Sequence, residues 1–113
     1  MSNKDYGDIG EDAVVMYLEM TGYEIIARNW KTRWCEIDII ALKGKCLYFV
    51  ESKFRARDVW GDGLDYITRK KLNQMKFAAE FWLANHNWEG ECCLAAAAVN
   101  SYGGVDFIET LIF

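Results

Sequence analysis

The sequence contains one histidine, no proline and no apolar run that approaches the length needed to cross a membrane. Residues 1–8 also lack the pattern of a secretory signal, so a cytoplasmic protein without a membrane partner is expected. Because His86 is the only histidine and no serine or cysteine lies in a convincing nucleophile setting, a hydrolase triad is disfavoured. The four cysteines, two of them adjacent at positions 92 and 93, are poorly spaced for zinc and are interpreted as reduced structural thiols.

The charge of the chain is unevenly distributed. The 113 residues suffice for one domain, assigned to residues 1–113, and the net charge of −4 argues at first against a nucleic-acid partner. Residues 28–76, however, contain twelve basic and six acidic residues, whereas the rest contains one basic and eleven acidic residues. This concentration favours a nucleic-acid surface on the middle segment, and a simple surface asymmetry is the alternative.

Two helices are predicted from apolar residues at helical spacing. The first is expected over residues 8–21, where Asp8 and Glu11 have the spacing of a capping pair at the start. The second is expected over residues 67–86, with Thr68 as N-cap and a basic first half that attracts phosphate. From spacing alone, therefore, Glu11 is a capping residue.

Five strands are predicted from β-branched, aromatic and apolar runs between turn signals, with a polar turn over residues 31–34. They are expected over residues 23–30, 35–40, 47–53, 92–100 and 105–113. The resulting order, αβββαββ, predicts an α/β domain in which helices flank a mixed sheet. Residues 54–66 have no clear period and are interpreted as a surface loop.

The second and third strands are predicted to form a hairpin that carries the polar residues. A two-residue turn at positions 44 and 45 suits type II′, which prefers glycine first. In that register Asp38 lies opposite Glu51, Glu36 lies opposite Lys53, and all four side chains share one face. The other face takes the remaining residues of this stretch: Ile37, Ile39, Val50 and Ser52.

Two carboxylates directly across a hairpin repel one another, and a purely structural sheet would avoid the pairing. A divalent cation between Asp38 and Glu51 would turn that repulsion into ligation, since Mg²⁺ prefers hard oxygen ligands. Lys53 could then orient a water or stabilise charge on a phosphate. The alternative is a solvated sheet face with an ordinary Glu36–Lys53 ion pair.

Several segments together resemble a known family. An acid on the second strand followed by Glu51-Ser52-Lys53 on the third resembles the PD-(D/E)XK nuclease motif, and over roughly residues 7–85 the chain resembles the small bacterial YraN family, itself similar to archaeal Holliday-junction resolvases. The segments that carry the resemblance are Gly10-Glu11-Asp12-Ala13, Gly22-Tyr23, Arg28-Asn29-Trp30, Glu36-Ile37-Asp38-Ile39-Ile40-Ala41, Phe49-Val50-Glu51-Ser52-Lys53 and the Lys70-Lys71 helix. The departures are Cys35, Ser52 and the apolar strand over residues 92–98.

The resemblance implies a restriction-endonuclease-like fold and an Mg²⁺- or Mn²⁺-dependent endodeoxyribonuclease. Glu11 becomes a candidate metal ligand beside Asp38 and Glu51, with Lys53 as the catalytic lysine. The residues expected to contact nucleic acid are Arg55, Arg57, Lys70, Lys71 and, by analogy with a helix glutamine of related nucleases, Gln74. Candidate substrates are branched DNA, recombination intermediates and single-stranded/duplex junctions. The alternatives are a non-cleaving nucleic-acid-binding module and a partner-binding adaptor that uses the final strand, and a homodimer is left open.

Overall fold

The computed structural model describes residues 3–54 and 67–109 of the chain. Its elements follow the predicted αβββαββ order: α1 (Asn3–Met20), β1 (Glu24–Lys31), β2 (Glu36–Lys43), β3 (Cys46–Phe54), α2 (Arg69–Ala84), β4 (Glu91–Val99) and β5 (Val105–Ile108). Phe54, predicted to begin the loop, is instead the last residue of β3, and the predictions for Arg55, Arg57 and the rest of the loop lie outside the described residues. Thr68 is the N-cap of α2, as predicted, because its side chain accepts a hydrogen bond from the Lys71 backbone N–H at 3.1 Å.

The five strands form one mixed sheet in the order β1-β2-β3-β4-β5. Strands β3 and β4 are parallel, and every other neighbouring pair is antiparallel. The alanine run of β4 lies in the middle of the structure, with residues 95–98 at most 5% exposed. The mixed sheet predicted from the order of elements is therefore confirmed, and small side chains suit a strand that is covered on both sides.

Each face of the sheet carries one helix and one apolar cluster. The cluster under α1 consists of Val14, Leu18, Tyr23, Ile39, Ala41, Val50, Ala95, Ala97 and Val99. The cluster under α2 consists of Ile37, Ile40, Leu47, Phe49, Met75, Ala78, Ala79, Trp82 and Leu94. The helices therefore flank the sheet, as the α/β prediction required.

The start of α1 corrects one sequence prediction. The helix begins at Asn3 rather than near Asp8, so Glu11 lies in the helix interior and the capping pair is wrong. A capping residue marks a helix start only where the preceding backbone leaves the helical conformation, and here the preceding turn stays helical. Gly10 allows α1 to lie directly against β3, since a Cβ on Gly10 would be 2.8 Å from the Phe54 Cβ. This close approach places the next side chain, Glu11, in a buried position.

The β2–β3 hairpin has the predicted register. Pairs run from Ile39↔Val50 to Lys43↔Cys46, and Gly44 alone of the two turn residues has a positive φ, +63°. The regular pairing ends at Ile39↔Val50, one step before Asp38 and Glu51.

The strict alternation predicted for this end of the hairpin is wrong, because Ile37 packs in the cluster under α2 and Ile39 in the cluster under α1. The cause is an irregularity shared with β1. Residues 28 and 30 of β1 pair with Ile39 and Ile37, and between them Asn29 has a left-handed φ of 52°. A regular strand would keep residues two apart on one face, so both strands change face around Asn29 and Asp38.

Candidate functional site

Two carboxylates meet where β2 and β3 leave their regular pairing. One Asp38 oxygen, Oδ2, accepts a hydrogen bond from the Ser52 backbone N–H at 2.9 Å. Glu51 Oε1 lies 3.0 Å from the Nζ of Lys71, in the first turn of α2. The two acids are thus held by different elements, Asp38 by the β3 backbone and Glu51 by the helix that covers this face.

Both carboxylates are electrostatically strained. Burial, followed by the charge of Glu51, raises the pKa of Asp38 to about 7 against the opposing hydrogen bond from Ser52. Glu11 and Glu36 add smaller increases. Burial also raises the pKa of Glu51, although Lys71 opposes that change. Burial therefore disfavours the charged form of both acids, and at Glu51 the contact with Lys71 offsets only part of that cost.

Glu11 has a different environment. Its Oε1 accepts hydrogen bonds from Arg28 Nε and from Asn29 Nδ2, each at 3.0 Å. A second nitrogen of the same guanidinium, Arg28 Nη2, lies 2.6 Å from Asp12 Oδ1. Glu11 is close enough for its charge to raise the pKa of Asp38, but its carboxylate is held by β1.

A three-carboxylate metal centre is not preformed. Across residues 3–54 and 67–109, no group of three histidine, cysteine, aspartate or glutamate side chains is gathered closely enough to hold a metal ion. The donor chemistry of Asp38 and Glu51 nevertheless fits a hard divalent cation, because carboxylate oxygens are the ligands that such cations prefer. Glu11 is held away from the pair through its Oε1, which already accepts hydrogen bonds from Arg28 and Asn29.

Lys53 is exposed on β3, two residues beyond Glu51 and on the same face by strand alternation. Its charge lowers the pKa of Glu51, which means that the ammonium group lies within the field of the carboxylate pair. Within the described part of the chain, no ion pair joins Lys53 to Glu36. The ordinary cross-strand pair that the sequence offered as an alternative is therefore not observed.

A groove of about 850 Å³ opens beside the carboxylates, between the β1–β2 turn and α2. Three of the residues predicted to contact nucleic acid line this groove, as does one carboxylate of the pair, Glu51. The lining includes Lys31, Trp34, Glu51, Lys70, Lys71 and Gln74. Lys71 was predicted as a phosphate ligand, and the structure adds its contact with Glu51.

Comparison with known proteins places this site within a family. Residues 10–108 match the model of "Uncharacterised protein family UPF0102". The chain belongs to the UPF0102 family. The matched range contains both members of the carboxylate pair, as well as Glu11 and Lys53. The part of this UPF0102 chain that carries the candidate site is thus the part that the family shares.

Individual relatives support the same assignment. A UPF0102 protein of Dictyoglomus turgidum is 40% identical over 85 residues, which cover 75% of this chain and 72% of the relative. One from Cytophaga hutchinsonii is 32% identical over 99 residues, 88% of each chain. Another from Nitratidesulfovibrio vulgaris is 36% identical over 104 residues, 91% of this chain and 78% of the relative. Their names give the family and no activity.

Some residues of the UPF0102 site could not be found by reasoning from sequence patterns. Arg28 and Asn29 hold Glu11. The only sequence feature that pointed to these two residues was that they belong to one of the segments that carry the resemblance. Lys31 and Trp34 line the groove, although the sequence predicted only a polar turn there. These positions depend on contacts between elements that are distant in the chain.

A cytoplasmic location without a membrane partner was expected from the lack of a long apolar run in the sequence. Within the described residues, no helix combines the length and the apolar character that a membrane span requires.

Proposed function

We propose that this UPF0102 protein is a metal-dependent endonuclease that hydrolyses phosphodiesters in DNA. The observation that carries the proposal is the Asp38–Glu51 pair, two partly buried acids with raised pKa values, of which Glu51 lines a groove. Burying two neighbouring carboxylates is costly in a purely structural site, whereas acids with perturbed pKa values beside a cleft are typical of functional sites. The resemblance to PD-(D/E)XK nucleases agrees with this interpretation.

Asp38 and Glu51 are the residues that would hold Mg²⁺ or Mn²⁺, with Glu11 as a candidate third ligand. When bound, the cation supplies a Lewis acid for the phosphate and lowers the pKa of a water molecule. In the chain itself, the Ser52 backbone N–H fixes Oδ2 of Asp38. Lys71 neutralises part of the Glu51 charge until a stronger cation competes for it.

Lys53 is the residue placed to act on the reacting phosphate. Its ammonium group shares the face and the electrostatic field of Glu51, and it can stabilise negative charge that develops in the transition state. Lys31 and Lys70 line the adjoining groove and would contact flanking phosphates, which fixes position without reading base sequence. Arg55 and Arg57 remain predicted phosphate contacts.

The test is an incubation with Mg²⁺ or Mn²⁺ and a panel of linear, flapped and four-way DNA. The parent and Asp106→Asn, which alters an exposed acid on β5, should cleave at least one substrate. Asp38→Asn should lose cleavage in both metals while remaining folded. The proposal is wrong if no substrate is cut with either metal, or if Asp38→Asn cuts as fast as the parent.

A non-cleaving nucleic-acid-binding module is the second candidate, and one observation favours it. Lys71 already pairs with Glu51, and Arg28 with Asn29 already holds Glu11, so the chain supplies its own partners for two of the three acids. A salt-dependent DNA affinity that is unchanged by Mg²⁺, together with no cleavage, is the result expected for this alternative.

A further inference from the structure

The groove contains exposed aromatic side chains that catalysis by the carboxylates does not require. Trp34 is 66% exposed and Phe77 is 50% exposed, and both line the groove of about 850 Å³. That volume lies in the range of sites that take small organic groups, roughly 300–1,000 Å³. Large aromatic surface left open beside a polar site is typical of a binding surface rather than of a core.

Trp34 is held in place by its own turn. The Thr32 hydroxyl accepts hydrogen bonds from the backbone N–H groups of Trp34 at 3.0 Å and Cys35 at 3.2 Å. The Thr32 backbone N–H also donates to the Cys35 carbonyl at 2.8 Å. These bonds restrain the backbone of the turn that carries the indole. Less conformational freedom is therefore lost when a ligand binds.

The indole also rests on other rings. The Trp34 and Phe81 centroids are 5.9 Å apart, and Phe81 is in turn 6.2 Å from Phe77 and 6.1 Å from Trp30. These tilted contacts lie in the range of favourable aromatic pairs. They tie the exposed ring to the apolar cluster under α2, so Trp34 forms one wall of the groove that is supported by other rings.

The charges around this wall suit a phosphate next to an aromatic ligand. Lys31 and Lys70 line the same groove, and the Arg33 guanidinium lies 5.4 Å from the Trp34 ring centroid. The first turn of α2 contains no acid, and the positive end of the helix dipole adds to its basic side chains. A stacking ring beside cations is the combination that single-stranded nucleic acids use, since every base has a flat face and every nucleotide a phosphate.

We infer that the groove binds an unpaired nucleobase stacked on Trp34, with the adjoining phosphate beside Lys31 and Lys70. Inside a continuous duplex both faces of a base are covered by its neighbours, so a base reaches Trp34 only from a single-stranded segment or after extrusion. The protein should therefore prefer a single-stranded segment to a continuous duplex. The inference deepens the proposed nuclease function, since Glu51 lines the same groove, but the binding it describes requires no metal.

The test measures fluorescence anisotropy of a labelled thymidine oligonucleotide of about twelve nucleotides, in EDTA so that no cleavage occurs. The matched probes are an abasic strand of equal length, the uridine strand that carries 2′-hydroxyls, and a blunt duplex. The parent should bind the thymidine strand more tightly than the abasic strand and the duplex. Trp34→Leu should bind it about 5- to 150-fold more weakly, the range for loss of one base–aromatic stack.

Two further variants separate stacking from a loss of folding. Trp34→Phe keeps a flat ring and should retain most of the affinity. Tyr102→Leu removes an exposed ring from the β4–β5 turn, away from the groove lining, and should bind like the parent. The relative affinity for the uridine strand shows whether the groove prefers an RNA strand or a DNA strand, and either preference requires base stacking on Trp34.

The inference is overturned if the parent binds none of the strands, if the abasic strand binds as well as the thymidine strand, or if Trp34→Leu binds like the parent. These outcomes are distinct from failure of the nuclease proposal. Trp34-dependent binding without cleavage in Mg²⁺ would support the base-binding groove and refute the nuclease proposal. Cleavage in Mg²⁺, together with strand binding that is unchanged in Trp34→Leu, would support the nuclease proposal and refute the base-binding groove.

Discussion

Glu11 and Asp38 are two carboxylates in neighbouring regions of the molecule that are stabilised in different ways. Glu11, on α1, is 7% exposed and accepts two hydrogen bonds from β1, one of them from a guanidinium. Asp38, at the end of the β2–β3 pairing, accepts one backbone hydrogen bond and has no cation bonded to it among the described residues. Burial, followed by the charge of a second acid, Glu51, raises its pKa to about 7.

The difference shows that burial alone does not distinguish a structural acid from a functional one. Glu11 is well covered, but Arg28 and Asn29 supply the donors that a buried carboxylate needs. At Asp38 and Glu51, by contrast, burial raises the pKa of both carboxyls, and the charge of Glu51 adds to the increase at Asp38. Proteins retain such local conflicts mainly where a ligand or a reaction resolves them, so the hairpin end is the better candidate for function.

The largest expected effect separates chemistry from binding at the Asp38–Glu51 end. Lys53→Ala should reduce single-turnover cleavage by about 10²–10³-fold, the effect of losing one transition-state donor. DNA affinity should fall little, since one phosphate contact among several contributes modestly. Lys45→Ala, in the turn at the other end of the same hairpin, is the matched control. Cleavage by Lys53→Ala at the rate of the parent would remove this lysine from the mechanism.

The next effect concerns stability and pH, and it tests the electrostatic strain at Asp38. Because the pKa of Asp38 is raised from about 3.8 to about 7, the folded state binds a proton that the unfolded state has already released. The stability linked to this group is therefore fully present below pH 4 and is lost as pH rises through 7. Asp38→Asn removes the titration.

Urea unfolding at pH 5 and pH 8, in EDTA, measures this difference. Between the two pH values, the free energy of unfolding of Asp38→Asn relative to the parent should rise by on the order of 2–3 kcal/mol. Asp106→Asn, at an exposed position on β5, should follow the parent at both pH values. A constant difference between Asp38→Asn and the parent would mean that Asp38 titrates near its ordinary value.

At the other carboxylate, Glu11→Gln should lower the free energy of unfolding by about 1–3 kcal/mol, because a charge-assisted bond to Arg28 is lost. The cost stays below that of a fully buried pair since Arg28 keeps Asp12 as a partner. Asp12→Asn, at an exposed position, should cost about 1 kcal/mol or less. Calorimetric titration of Mg²⁺ then decides whether Glu11 is also a ligand: an affinity equal to that of the parent would leave it a structural residue.

The parts of this comparison that the sequence predicted are those with local causes. The turn at positions 44 and 45 fixes the hairpin register, since a glycine with positive φ determines which residues pair. That register brings Asp38 and Glu51 to the same end of the hairpin, one step beyond its last regular pair. Thr68 likewise ends as the N-cap of α2 because a capping bond is made within one turn.

The parts that the sequence did not predict depend on distant contacts. Nothing in a local pattern shows that β1 and β2 change face together at Asn29 and Asp38, because the irregularity belongs to the pair of strands. The bonds that hold Glu11 join α1 to β1, and the Lys71–Glu51 contact joins α2 to β3. Each needs the tertiary arrangement before its partner can be named.

The smallest expected effect sharpens the comparison at two adjacent lysines of α2. Lys71 lies 3.0 Å from Glu51, whereas Lys70 lines the groove as a candidate phosphate contact. Lys70→Ala should therefore reduce the salt dependence of DNA binding by about one unit of slope. Lys71→Ala should reduce it less in EDTA, since this ammonium group is already paired, but should raise the pKa of Glu51 further by removing the main influence that lowers it. Filter binding across a salt series and an NMR titration of Glu51 measure the two effects separately. Equal slopes for both variants, with the Glu51 pKa unchanged in Lys71→Ala, would show that Lys71 serves the nucleic acid rather than the carboxylate pair.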